Sequence, residues 1–225
     1  MSKKIVLSLS DVCNLSRVST SIDNNPLRET ARLLILEKDE EAYKFLSNYY
    51  NDLEYKTMND LFRTNIHALE GFKHTDCFLP WYHTDPITVF KDNAFITRIS
   101  EDSVRQKISK VKNLIASIKE HGYEPDRFLD RKQGHITGYY LERSEKKRFY
   151  VVSGNHRVAT LSALGYQQVN AIFEDRSFLK PRELEKLGYQ NLPNIFSEKN
   201  IKTWPSVQSR FFTQSDALTI LSKFV

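Results

Sequence analysis

The stretch "RFYVVSGNHRVATLSALGYQQVNAIF", residues 148–173, changes its periodicity twice. Aromatic and β-branched residues fill "KRFYVVS", which reads as a strand. Gly154 then turns the chain. Val158, Leu161 and Leu164 recur at helical spacing and predict a helix over about 156–164, stopped by Gly165. "QVNAIF" closes the unit as a short strand. Just upstream, "GHITGYYLE" and "KRFYVVS" flank the polar "RSEKK", the pattern of a hairpin or of paired strands. Before these, residues 102–121 place Val104, Ile108, Val111, Leu114, Ile115 and Ile118 on one helical stripe, with Asp102 or Ser103 available as N-cap and Gly122 as the stop. Strands and helices mixed in this way predict an α+β fold.

Outside this block the chain reads as helical additions. Ile5–Leu9 is a short apolar run. Leu27, Ala31, Leu34 and Ile35, followed by Ala42, Phe45, Leu46 and Tyr49, mark one helix, or two helices broken near Lys38–Asp39, with Pro26 suited to a first turn. The aromatic- and proline-rich segment 71–86 has no period and reads as a structured loop, followed by a strand in "PITVF", 86–90. Towards the C-terminus, "KPRELEKLGY" and "TQSDALTILSKFV" read as helices, and Trp204–Pro205 as an apolar anchor between them. The expected division is a helical addition over 1–85, a core over 86–175 and a helical addition over 176–225, forming one compact unit.

A chain of 225 residues, 40% hydrophobic and 27% charged, is globular in composition. Seven glycines and seven prolines exclude a fibrous or linker-rich protein. The net charge of +5 and pI near 9.0 favour an anionic partner (phosphate, nucleotide or nucleic acid), though such an excess also serves solubility. Cys13 and Cys77 form neither a disulfide framework nor a CxxC pair. The apolar run near the start ends at Asp11, too short for a signal-peptide core, and no 18-residue apolar stretch follows, so the expectation is a cytoplasmic protein without membrane insertion.

The chemistry concentrates at Ser153, Gly154, Asn155, His156 and Arg157. A strand running through a glycine into a helix aims backbone N–H groups and the positive end of the helix dipole at one point, which suits a phosphate. Arg157 can clamp phosphate oxygens and His156 can donate a hydrogen bond or move a proton. The competing reading makes Gly154 a turn residue, His156 a satisfied polar group and Arg157 an ion-pair partner. "HTD" occurs twice, at 74–76 and 83–85. His74, Asp76, His83 and Asp85 are candidates for a metal site, although nine-residue spacing matches no standard motif. Alternatively Trp81, Tyr82, His83 and Asp85 line a substrate pocket, or Trp81 and Tyr82 are core aromatics.

From Val104 to Phe173 the order of these pieces ("LIASIKEHGYEPD", a strand region, then "YVVSGNHRVATLSALGYQQVNAIF") resembles the ParB/sulfiredoxin superfamily. The likeness spans about 70 of the 225 residues. It implies a small mixed sheet with flanking helices, and a loop at Ser153–Arg157 that holds the phosphates of ATP or CTP. Asn155 stands where sulfiredoxin carries its catalytic cysteine, which removes sulfinic acid reduction from the expectations. A histidine immediately before the arginine is shared with the free-serine kinases of the superfamily. The resemblance therefore implies an ATP- and Mg²⁺-dependent phosphotransferase acting on a hydroxyl of a small molecule or glycan. His156 would stabilise the transferring group, and an acid ahead of the long helix would serve as base. Asp92, Glu101 and Asp102 lie in that interval, and Glu101 and Asp102 fit equally well as a first-turn pair complementing the helix dipole. The alternative is a non-catalytic CTP- or nucleic-acid-binding regulator. A nuclease would need a carboxylate cluster that the sequence does not assemble.

Overall fold

The computed structural model describes residues 4–16, 19–51, 80–81, 100–127, 134–173, 194–208 and 212–225. The chain divides into two compact units. The first comprises Met1–Glu54, Arg98–Gly138 and Phe149–Phe173; the second comprises Tyr55–Thr97, Tyr139–Arg148 and Glu174–Val225. The class is mixed α+β with an open mixed sheet.

In the first unit, β1 (Lys4–Ser8), β2 (Val12–Ser16) and β3 (Ser19–Ser21) precede two helices, α1 (Pro26–Ile35) and α2 (Asp39–Asn51). Next come the long helix α3 (Glu101–His121), the start of β4 (Ile136–Arg143), the end of β5 (Lys146–Ser153), α4 (Asn155–Ala163) and β6 (Gln168–Phe173). The strands lie in the order β1-β6-β4-β5-β2-β3. β1 runs antiparallel to β6 with Val6 opposite Asn170, while β4 runs parallel to β6 with Thr137 opposite Ile172. β2 lies parallel to β5, Val12 facing Phe149. Buried residues from both layers, among them Leu7, Val111, Ile136, Phe149 and Leu161, make the core.

Local chemistry explains the boundaries. Asn25 caps α1 by accepting a hydrogen bond from Leu27 N–H at 2.8 Å, with Pro26 in the first helical position. The break between α1 and α2 falls at Leu36–Lys38, where Glu37 has a φ of 59°. Ser100, rather than Asp102 or Ser103, caps α3, its hydroxyl accepting from Ser103 N–H at 3.3 Å. Gly122 ends that helix with a φ of 73°. The first 21 residues, expected within a helical addition, hold three strands. β1 reads poorly from sequence because only Leu7 of its five residues is buried, and its partner β6 lies far along the chain.

In the second unit, the remainders of β4 and β5 meet at the turn Ser144–Glu145, and β7 (Ile195–Ser197) runs parallel to β4 with Leu141 opposite Phe196. A 3-10 stretch over Glu198–Thr203, the short α5 (Pro205–Gln208) and α6 (Gln214–Leu221) follow. Asn200 ties this corner together. Its Oδ1 accepts from Ser197 N–H at 2.8 Å and from Trp204 Nε1 at 2.9 Å, while its Nδ2 donates to Ile195 O at 2.8 Å. Trp81 meets Trp204 and Phe224 edge to face, with ring centroids 5.7 and 5.2 Å apart. Among the described residues no helix is long and apolar enough to cross a membrane.

Candidate functional site

The site grows from the exit of β5. Gly154 adopts φ 94° and ψ 18°, a left-handed conformation that glycine takes without steric cost. A Cβ there would stand 3.2 Å from Ile136 Cα and 3.4 Å from Arg157 Nη1, so space as well as backbone angle calls for glycine. Its carbonyl accepts the first helical hydrogen bond, from Val158 N–H at 2.9 Å. No side chain caps α4 at this position and its first turn carries no acid, so the start of the helix keeps its positive character.

His156 and Arg157, neighbours in sequence, face different parts of α3. The His156 Nε2 atom is buried and has no hydrogen-bond partner. Burial, then the nearby charges of Lys107, Lys110 and Arg157, push the imidazole pKa down to about 4, so the ring is neutral at pH 7. Arg157 is half-buried and donates from Nη1 to the main-chain oxygen of His135 at 3.0 Å. Burial lowers its pKa and the facing Tyr123 opposes that shift. The Tyr123 hydroxyl donates to Asn170 O at 2.9 Å, and burial raises its pKa to about 12, so it stays a neutral phenol.

Arg157 forms part of the wall of a cavity of about 330 Å³ at the C-terminal end of α3. Leu114, Ile118 and Tyr123 supply apolar surface; Arg127, Arg157 and His121 supply donors; Glu124 is the acid in the wall. Behind it, His135 is 2% exposed, with Nε2 3.3 Å from Asp126 Oδ1, and Asp126 Oδ2 lies 2.6 Å from Lys4 Nζ. This arrangement can hold an anion of nucleotide size, with an apolar shelf for a ring and cations for phosphate.

The residues expected from sequence separate into groups. Ser153, Gly154, Asn155, His156 and Arg157 do form one strand-to-helix corner. Glu101 and Asp102 are exposed in the first turn of α3, with Glu101 Oε2 4.0 Å from Arg105 Nη2. The 1.5 Å rise per residue puts Asp102 roughly 18 Å along the helix from Leu114 of the cavity. They belong to the helix start and do not reach the cavity wall. Trp81, expected as a stacking surface, is 1% exposed and serves the aromatic core of the second unit. Asp92, Tyr82, His83, Asp85, His74 and Asp76 lie outside the described residues.

Tyr123, Glu124, Arg127 and His135 were not singled out by sequence reasoning. The signal available was "HGYEPD", which reads as a helix end but also, through Gly122 and Pro125, turns the chain so that successive side chains line a wall. Comparison of the chain with family models, with curated proteins and with solved structures gave no match.

Proposed function

We propose that the Ser153–Arg157 corner and its cavity bind the phosphates of a nucleoside triphosphate, and that the protein transfers phosphoryl from ATP to a hydroxyl of a small molecule or glycan. The observation that carries this reading is the cavity itself: about 330 Å³, with Arg157 in its wall and the uncapped start of α4 directly preceding that residue. Leu114, Ile118 and Tyr123 suit a base or ribose, while Arg127 and Arg157 suit phosphate oxygens. The resemblance of residues 104–173, which include this corner, to the ParB/sulfiredoxin superfamily points the same way.

Among the described residues no three His, Cys, Asp or Glu side chains gather in a way that would hold a metal. Mg²⁺ commonly needs only one or two carboxylates in addition to phosphates, and Glu124 is the wall residue that fits that part. When bound, such an ion neutralises phosphate charge and helps align the reacting groups. As the acid in the cavity wall, Glu124 is also suited to serve as the base on the acceptor hydroxyl, the role expected from sequence for Asp92, Glu101 or Asp102. The location of Glu101 and Asp102 favours a second reading, a CTP- or nucleic-acid-binding regulator without chemistry.

Calorimetry with ATP and CTP in magnesium, followed by ADP release with a panel of hydroxyl acceptors, tests the proposal. Binding of ATP with acceptor-dependent ADP release supports the enzyme. Nucleotide binding without turnover, or salt-sensitive DNA binding, selects the regulator. A protein that associates with no nucleoside triphosphate, pyrophosphate or phosphate overturns both nucleotide readings.

A further inference from the structure

The Arg157 guanidinium does not stand on α4 alone. Its Nη1 donates to the carbonyl of His135, 3.0 Å away and just ahead of β4. That carbonyl belongs to a residue whose ring is buried and whose Nε2 lies 3.3 Å from Asp126 Oδ1. Asp126 in turn sits in the 3-10 turn Pro125–Arg127 and pairs with Lys4 of β1 at 2.6 Å. Four contiguous groups thus connect an exposed ion pair at the sheet edge with the cation in the cavity wall.

The chemistry of each link is defined. The His135–Asp126 contact needs the ring proton on Nε2, which fixes the tautomer and the orientation of the ring. An oriented ring on a buried residue leaves its main-chain oxygen little freedom, and that oxygen is what the guanidinium grips. We infer that Asp126 and His135 are positioning residues for Arg157, holding its guanidinium in the cavity wall. The inference rests on the phosphate-binding reading for its consequence, but the positioning itself is a property of the protein without ligand.

This separates the two tests. In arginine-labelled full-length protein, rotation of the Arg157 guanidinium about Nε–Cζ is measured by NMR without ligand, and affinity for ATP with magnesium and for pyrophosphate is measured by calorimetry. Asp126→Ala is expected to speed that rotation. It should also weaken both ligands by about 10- to 100-fold, the usual cost of losing a partner that orients a ligating side chain. Its thermal midpoint should fall by no more than the loss of one polar partner of the buried His135 explains, because the Lys4–Asp126 pair is 60% and 63% exposed and contributes little. Asp126→Glu should restore part of the affinity. His135→Gln, which keeps a donor near the Nε2 position, should retain binding better than His135→Leu.

Unchanged rotation in Asp126→Ala overturns the inference, as does a loss of affinity that follows loss of fold and is not restored by Asp126→Glu. Should the wild type bind neither probe while Asp126→Ala still frees the guanidinium, the positioning stands and the nucleotide reading falls.

Discussion

Arg157 carries two loads that a single substitution exposes together. Arg157→Ala removes the proposed phosphate donor and also leaves the His135 carbonyl without that bond, so binding should be lost and stability should fall by about 1 to 2 kcal/mol in urea titration. A protein that keeps full affinity for pyrophosphate after this change would contradict the proposed site. Gly154→Ala places a side chain at φ 94° against Ile136, and a cost of about 1 to 2 kcal/mol or more is expected from the same measurement. His156 gives a pH signature. Its folded pKa of about 4 lies below the ordinary 6.5, so the unfolded chain takes up the proton more readily. This contribution to stability is complete above pH 6.5 and is lost as pH falls from 6.5 towards 4, on the order of 3 kcal/mol if the ring titrates independently. His156→Gln should flatten the stability profile in that window.

Elements with their own punctuation were legible in the sequence; those that depend on distant partners were not. α3 ends at Gly122, α4 begins after Gly154 and stops before Gly165, and β6 matches "QVNAIF", because glycines and apolar spacing act locally. β1 and β2 gain their place only by pairing with β6 and β5, which no short window encodes. The five residues Ser153–Arg157 were likewise visible as a local strand-to-helix corner, of which Arg157 lines the cavity. His135 was not, since it acts through a main-chain oxygen that every residue possesses. Of the two readings open for Trp81 the structure shows the core aromatic; the sequence alone did not decide, because an aromatic in an irregular stretch has the same appearance whether it faces a ligand or a core. Gly138 shows how sharply an element can depend on one residue. A Cβ there would lie 2.0 Å from Tyr150 O and 2.7 Å from Phe149 Cε1, so Gly138→Ala must push β4 and β5 apart. A loss of well over 3 kcal/mol, or failure to fold, is expected in thermal and urea melts, placing it in the exceptional tail of single substitutions.

At the scale of the molecule, each unit has its own buried centre. In the first, α1, α2, α3 and α4 pack on one another, with Leu34, Leu46, Val111 and Leu161 buried. In the second, Trp81, Phe196, Trp204 and Phe224 form an aromatic cluster fastened by Asn200. Trp204→Ala should cost about 3 to 5 kcal/mol through cavity formation, seen as an earlier melt of this unit. The net charge of +5 gives the whole protein a mild attraction for anions.

The chain has two tryptophans, and both lie in the second unit, 1% and 0% exposed, whereas the Ser153–Arg157 corner and the cavity walled by Arg157 belong to the first. Intrinsic indole emission is therefore a gauge of one half of the protein. Denaturation followed by indole emission reads the aromatic cluster, and ligand titrations are better followed by heat than by tryptophan quenching.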